Sequence, residues 1–239
     1  MKLILSLSNL VSKTVKAQLP RLYDEQGNNP GVQKISSHST QVSWQFQIVH
    51  LSGRQWEPCD DGTWLLMAVE SYSRFTILNR YYLEPSLEEI EKDFMASWIE
   101  HLIMLMQMGG FVRNKQHIEQ VTSQFQQLKK PEYYRNLDLS IAGHIGDNQQ
   151  WLRAYIDDTR ITEFNNTHVR EFSNYLNQLS RRIGKQRKKA DQFLPFERFL
   201  DDGLYRFASE LCDQEIPYCR FGDFPNPHRS NVELSLVKS

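Results

Sequence analysis

At 239 residues, 40% hydrophobic and 24% charged, the chain has globular composition and can bury a core without staples, which excludes disorder throughout. Its 28 Lys and Arg balance 29 Asp and Glu to a net charge of −1, which excludes a surface built wholly for nucleic acid or anionic membrane. Cys59, Cys212 and Cys219 form no short-spaced pair and read as reduced thiols of a cytoplasmic protein. The apolar start breaks at Ser6, Ser8 and Asn9, and no apolar run approaches bilayer length, so no membrane association is expected.

Residues 2–5 read as a short strand. Leu7, Leu10, Val11, Val15 and Leu19 then recur at helical spacing until Pro20. A loop rich in Gly, Asn and Ser follows, and residues 42–50 alternate as a half-buried strand with an aromatic-rich face. Thr63–Glu70 and Arg74–Leu78 flank Ser71-Tyr72-Ser73 as a hairpin, so 41–83 reads as an antiparallel meander. Ser86-Leu87-Glu88-Glu89 has the capping-box spacing and opens a long amphipathic helix through Ile90, Phe94, Trp98, Leu102 and Met106, ending at Gly109-Gly110. A second helix spans about 114–128. Leu137, Leu139 and Ile141 alternate as a brief strand, and Asp147 caps a helix through Trp151, Leu152, Tyr155 and Ile156. Val169, Phe172, Leu176, Leu179 and Ile183 predict a further helix, and 195–212 predicts the last. Strands followed by helices give an α+β fold: a small antiparallel sheet from the N-terminal third, covered by helices, with a helical C-terminal extension. A single domain over 1–239 is expected, with its core in 1–157 and the extension in 158–239.

Three stretches carry a family likeness. They are the strand and Leu-rich seam of Leu3, Leu5, Leu10 and Val11; Trp64 leading a hairpin of Leu65–Val69 and Phe75–Leu78 into the long helix; and Asn136–Asn148 before a helix. Over about residues 1–157 they resemble the bacterial domain-of-unknown-function family DUF6933. The resemblance implies the α+β core and no activity. Members often carry Arg-Ser and Gly-Ser where this chain has Leu139-Ser140 and Gly143-His144, so no site residue is carried over.

The sharpest local signal is the basic run Arg181, Arg182, Lys185, Arg187, Lys188 and Lys189, placed at the end of an amphipathic helix. Such a run neutralises phosphates of nucleic acid or an acidic protein partner, with Tyr175 and Phe193 near enough in sequence to stack on bases. It also suits a solvated helix end whose cations complement the dipole. Two further readings stand beside binding. Arg181-x-x-Gly184-x-Gln186 is a fragment of an acetyltransferase pyrophosphate loop. The seam from Val169 to Ile183 can serve as an oligomer interface or as core. His144, between Gly143 and Gly146 and near Asn148, is the one candidate acid–base residue, able to titrate near neutral pH. Cys212, Cys219 and His228 lack zinc spacing, so neither a metal nor a cofactor is expected. Whether the chain is an enzyme, and in what oligomeric state, is left open.

Overall fold

The computed structural model describes residues 1–24, 26–182 and 192–212. Five strands form one sheet: β1 (Lys2–Leu7), β2 (Gln41–Leu51), β3 (Thr63–Glu70), β4 (Thr76–Tyr81) and β5 (Glu132–Arg135). Their spatial order is β4-β3-β2-β1-β5. The β2–β3–β4 meander is antiparallel as expected. The sheet as a whole is mixed, because β1 runs parallel to both β2 and β5. The purely antiparallel expectation fails for a topological reason. The 33 residues between β1 and β2 return the chain to its starting end, which a two-residue hairpin cannot do. The edge strand β5 lacks a periodic signal because it holds only Glu-Tyr-Tyr-Arg.

Helices cover both faces. Leu3, Leu5 and Leu7 of β1 share one face with Val42, Trp44, Phe46 and Ile48 of β2 and Leu66, Ala68 and Ile77 beyond. Against it pack α1 (Asn9–Thr14), α2 (Leu87–Met108), α3 (Lys115–Gln126) and α6 (Pro195–Phe207). The other face offers Val49, Leu51, Leu65, Met67, Val69 and Leu78 to α4 (Leu139–Thr159) and α5 (Asn166–Gln178). Strand β2 is therefore buried on both sides, not half-buried, and even Ser43 and Gln45 are fully enclosed. The Ser86–Glu89 capping box forms as predicted. Where α6 lies on α2, a Cβ at Gly203 would stand 2.1 Å from Leu102 Cδ1, so Leu102 would have to shift to admit a larger residue. The C-terminal helices thus belong to the same two cores as the N-terminal strands.

Several helix boundaries differ from expectation: α1 ends at Thr14 although helical spacing runs on to Leu19, and α6 ends at Phe207 rather than at 212. The alternation at Leu137, Leu139 and Ile141 is the entry of α4, whose N-cap is Asp138 rather than Asp147. Its carboxylate accepts from Ser140 N at 2.8 Å and Ile141 N at 3.1 Å. Gly143 and Gly146 sit inside that helix, where no neighbour crowds them. Helix α5 stops at Gln178, before the basic run, and Leu179 is already extended. The seam of Phe172 and Leu176, with Val169 and Leu179 against it, is core of the second face rather than an interface. Ile183 lies outside the described residues. Among the described residues no helix is long and apolar enough to cross a membrane.

Candidate functional site

Polar groups gather where the β3–β4 turn meets α4, α5 and the segment after α5. Glu70, at the end of β3, is 2% exposed and holds the turn together. Its Oε2 accepts from Tyr72 N at 2.8 Å, Ser73 N at 2.5 Å and Ser73 Oγ at 2.7 Å. Oε1 accepts from Ser37 Oγ. A carboxylate with this many donors cannot be replaced by an amide without setting an NH2 against them. Glu70→Gln is expected to lower stability by about 2 kcal/mol, read from the urea midpoint. A loss under about 0.5 kcal/mol would show that the turn holds itself.

Turn geometry aims Arg74 inward. It has φ +60, a left-handed value that a non-glycine residue adopts only where its surroundings fix it. Its side chain is 4% exposed, with Nη2 donating to Ser140 Oγ at 3.1 Å. Nε and Nη1 have no partner among the described residues. Burial lowers the pKa of this guanidinium, and the charges of Asp138 and Glu70 oppose that shift.

His144 sits one turn along α4 from Ser140. Burial, and then the charges of Arg74 and Arg181, push its pKa from 6.5 down to about 3, against a hydrogen bond to the Arg182 backbone. The ring is neutral through the physiological range, so the expectation of an acid–base group titrating near neutral pH is not met. Nδ1 of His144 is buried and has no hydrogen-bond partner among the described residues.

A chain of amides runs from the sheet edge to the basic run. Asn177 brackets the first residue of β4, accepting from Thr76 N at 2.7 Å and donating to Thr76 O at 2.8 Å. Asn148 Nδ2 donates to Thr76 Oγ1 at 3.1 Å. Its Oδ1 accepts from Arg181 Nη2 at 2.5 Å. Arg181 is 8% exposed, so this member of the basic run faces inward. Its backbone pairs with Phe193 in both directions, Arg181 N to Phe193 O at 2.8 Å and Phe193 N to Arg181 O at 3.0 Å. Arg182 is exposed beside Gln192, whose amide oxygen, in its favoured orientation, accepts from Nε at 3.1 Å and Nη2 at 2.6 Å. The two ends of the 182–192 stretch therefore meet at one point on the protein body. Arg181 and Arg182, the described residues of the run, do not continue helix α5. Lys185, Arg187, Lys188 and Lys189 lie outside the described residues, as do Gly184 and Gln186 of the acetyltransferase fragment.

Comparison with known proteins returns no matching family model, curated protein or solved structure. The site has to be read from its own chemistry. Among the described residues no group of three or more His, Cys, Asp or Glu is placed to hold a metal ion. Cys212 is half-buried at the end of the described C-terminal segment, while Cys219 and His228 lie beyond it. Cys59 is fully buried, and burial raises its thiol pKa to about 12, so it is protonated and inert as a nucleophile. His101 is a part-buried histidine of α2: its Nδ1 contacts Ser97 O at 2.7 Å, and burial lowers its pKa. Phe193 is also core, 3% exposed with the Arg198 guanidinium 3.4 Å above its ring, and is closed to a ligand.

Arg74 is the residue that sequence reasoning passed over. An arginine in a turn reads as solvated until its dihedral angle is known.

Proposed function

We propose that this chain is a non-enzymatic binding protein that contacts nucleic acid through the basic stretch 182–189. The observation that carries the reading is the neck, where the Arg181–Phe193 backbone pair fixes both ends of the stretch at one place. Arg181 is the anchor, held through Asn148 to the sheet edge, and the five cations from Arg182 to Lys189 are the contact residues. A tract with fixed ends is delivered to a ligand at a smaller entropic cost than a free tail. It holds no acid between Arg182 and Lys189, so within a chain of net charge −1 the positive charge is concentrated here. Polyphosphate backbones reward that concentration, because each contact releases condensed counterions.

Fluorescence anisotropy of mixed-sequence oligonucleotides, at about 50 and 200 mM salt, tests this reading. The native chain is expected to bind with micromolar affinity and to weaken steeply with salt. Changing Arg187, Lys188 and Lys189 together to Ala should weaken binding about 10- to 100-fold at low salt and reduce the log–log salt slope by about 2. No binding at low salt, or equal binding by the triple variant, defeats the reading. Binding to polyglutamate but not to any oligonucleotide would reassign the stretch to an acidic protein partner.

A further inference from the structure

The left-handed backbone at the end of the β3–β4 turn carries Arg74 into the protein, where it is 4% exposed. Its Nη2 donates to Ser140 Oγ at 3.1 Å, while Nε and Nη1 have no hydrogen-bond partner among the described residues. The two carboxylates whose charges act on it are engaged by other donors. Asp138 accepts from Ser140 N and Ile141 N through Oδ1, and from Ile35 N through Oδ2. Glu70 takes the donors of its own turn and Ser37 Oγ. A buried guanidinium with two nitrogens lacking an acceptor is costly, because buried charge is ordinarily paired and fully hydrogen-bonded.

Ser140, bonded to this guanidinium, is itself exposed, as are Leu139 and Gly143 next to it on α4. Arg74 therefore approaches the surface at the first turn of α4. Ser140 Oγ accepts from Arg74, so its own hydrogen is left to donate. His144 lies four residues on, along the same face, and its Nδ1 is buried without a partner. The ring is neutral and its N–H is engaged by the Arg182 backbone, which makes Nδ1 an acceptor. Arg181 does not belong to this set, since its Nη2 is held by Asn148 and the charge of Asp147 stands near it.

The first turn of α4 thus gathers cationic donors, a hydroxyl and one bare acceptor. Sulfate presents acceptors alone and would set an oxygen lone pair against Nδ1. A phosphate monoester, with its second pKa near about 6, has mostly lost its proton at neutral pH. Hydrogen phosphate matches the whole set, with charged oxygens for the donors and a P–OH for the acceptor.

We infer that Arg74, Ser140 and His144 form a binding site for inorganic phosphate, taken in its protonated form. Arg74 donates from Nε and Nη1, Ser140 donates its hydroxyl hydrogen, and His144 Nδ1 accepts the P–OH. Rotation of the exposed Ser140 side chain admits the anion. The site is separate from the basic stretch and does not depend on it.

Calorimetric titration of the full-length chain with inorganic phosphate, sulfate and glycerol phosphate, in chloride buffer near neutral pH, tests this inference. Phosphate is expected to bind, and the other two about tenfold more weakly, because each leaves a buried polar group unmatched. Arg74→Met should abolish phosphate binding, and Ser140→Ala should weaken it severalfold. His144→Leu should lower phosphate affinity to that for sulfate, which erases the preference. The chain with Arg187, Lys188 and Lys189 changed to Ala should bind phosphate as the native chain does. Thermal unfolding shows whether each variant is folded. If Arg74→Met is not, Ser140→Ala and His144→Leu decide, the former at an exposed position. No phosphate binding by the native chain overturns the site, as does equal affinity for phosphate and sulfate. Binding that is lost in the triple variant but unchanged in Ser140→Ala also overturns it, and places the anion on the basic stretch. Oligonucleotide binding is read separately, so failure of the phosphate site leaves the nucleic-acid reading standing.

Discussion

Between pH 7 and pH 4, His144→Gln is expected to gain about 3 kcal/mol of stability relative to the native chain, and Asp202→Asn to lose about 2. The two residues oppose each other. His144 has its pKa pushed down to about 3 by burial and by Arg74 and Arg181. Its unfolded form takes a proton near 6.5 while the folded form refuses it. Its contribution is therefore present above that pH and lost as the pH falls. The Asp202 side chain of α6 is 9% exposed, and burial, with Glu70 and Asp201, raises its pKa to about 6 in spite of Arg206 at 2.6 Å. There the folded state holds the proton more tightly, so stability is present at low pH and lost as the pH rises from about 4 through 6. In the native chain the two slopes largely offset each other. Each variant removes one of them, and the difference between variant and native curves isolates it from the exposed carboxylates. Urea midpoints at half-unit pH intervals read it directly. Parallel curves for native and His144→Gln chains would mean that His144 is solvated and titrates normally.

Trp44→Ala is expected to cost about 3–5 kcal/mol, the range for emptying an aromatic site in a packed core. Trp44 is fully buried at the centre of β2, with Phe94 at 5.0 Å, Trp98 at 5.3 Å and Phe199 at 6.2 Å between ring centroids. It touches the sheet's two main helical partners on that face at once, so its loss loosens α6 as well as α2. Its indole N–H has no hydrogen-bond partner among the described residues. Trp44→Phe therefore gives up packing volume alone and should cost only about 1–2 kcal/mol. Denaturant unfolding followed by circular dichroism separates the two. A loss below about 1 kcal/mol for the alanine variant would mean that the aromatic cluster is not the centre of this core.

The elements that could be read from the sequence share one property: their signal is local. The capping box at Ser86, the periodic face of α2, and the alternation of Trp44, Phe46 and Ile48 are each contained within one element. Misreadings arose where a local pattern served two structures. Leu137, Leu139 and Ile141 alternate like a strand, yet Asp138 between them is the cap that starts a helix. The basic run reads as a helix end because Leu176, Leu179 and Ile183 hold helical spacing, but Arg181 pairs with Phe193, 12 residues on. At the candidate site, His144, Asn148 and Arg181 were visible as residue types. Their meeting with Arg74 and Thr76 spans more than a hundred residues of chain, and no sequence spacing encodes it.

The sequence by itself determined an α+β chain with a central meander, a long capped helix and one concentrated basic run, because propensity, periodicity and charge act over a few neighbouring residues. Only the tertiary structure decided that β1 lies parallel between β2 and β5, that both sheet faces are covered, and that His144 is held neutral between two arginines. It alone turned Arg181 inward and left Trp151 and Tyr175 facing water beside it. Burial and long-range pairing set these outcomes, and neither exists until the whole chain has closed on itself.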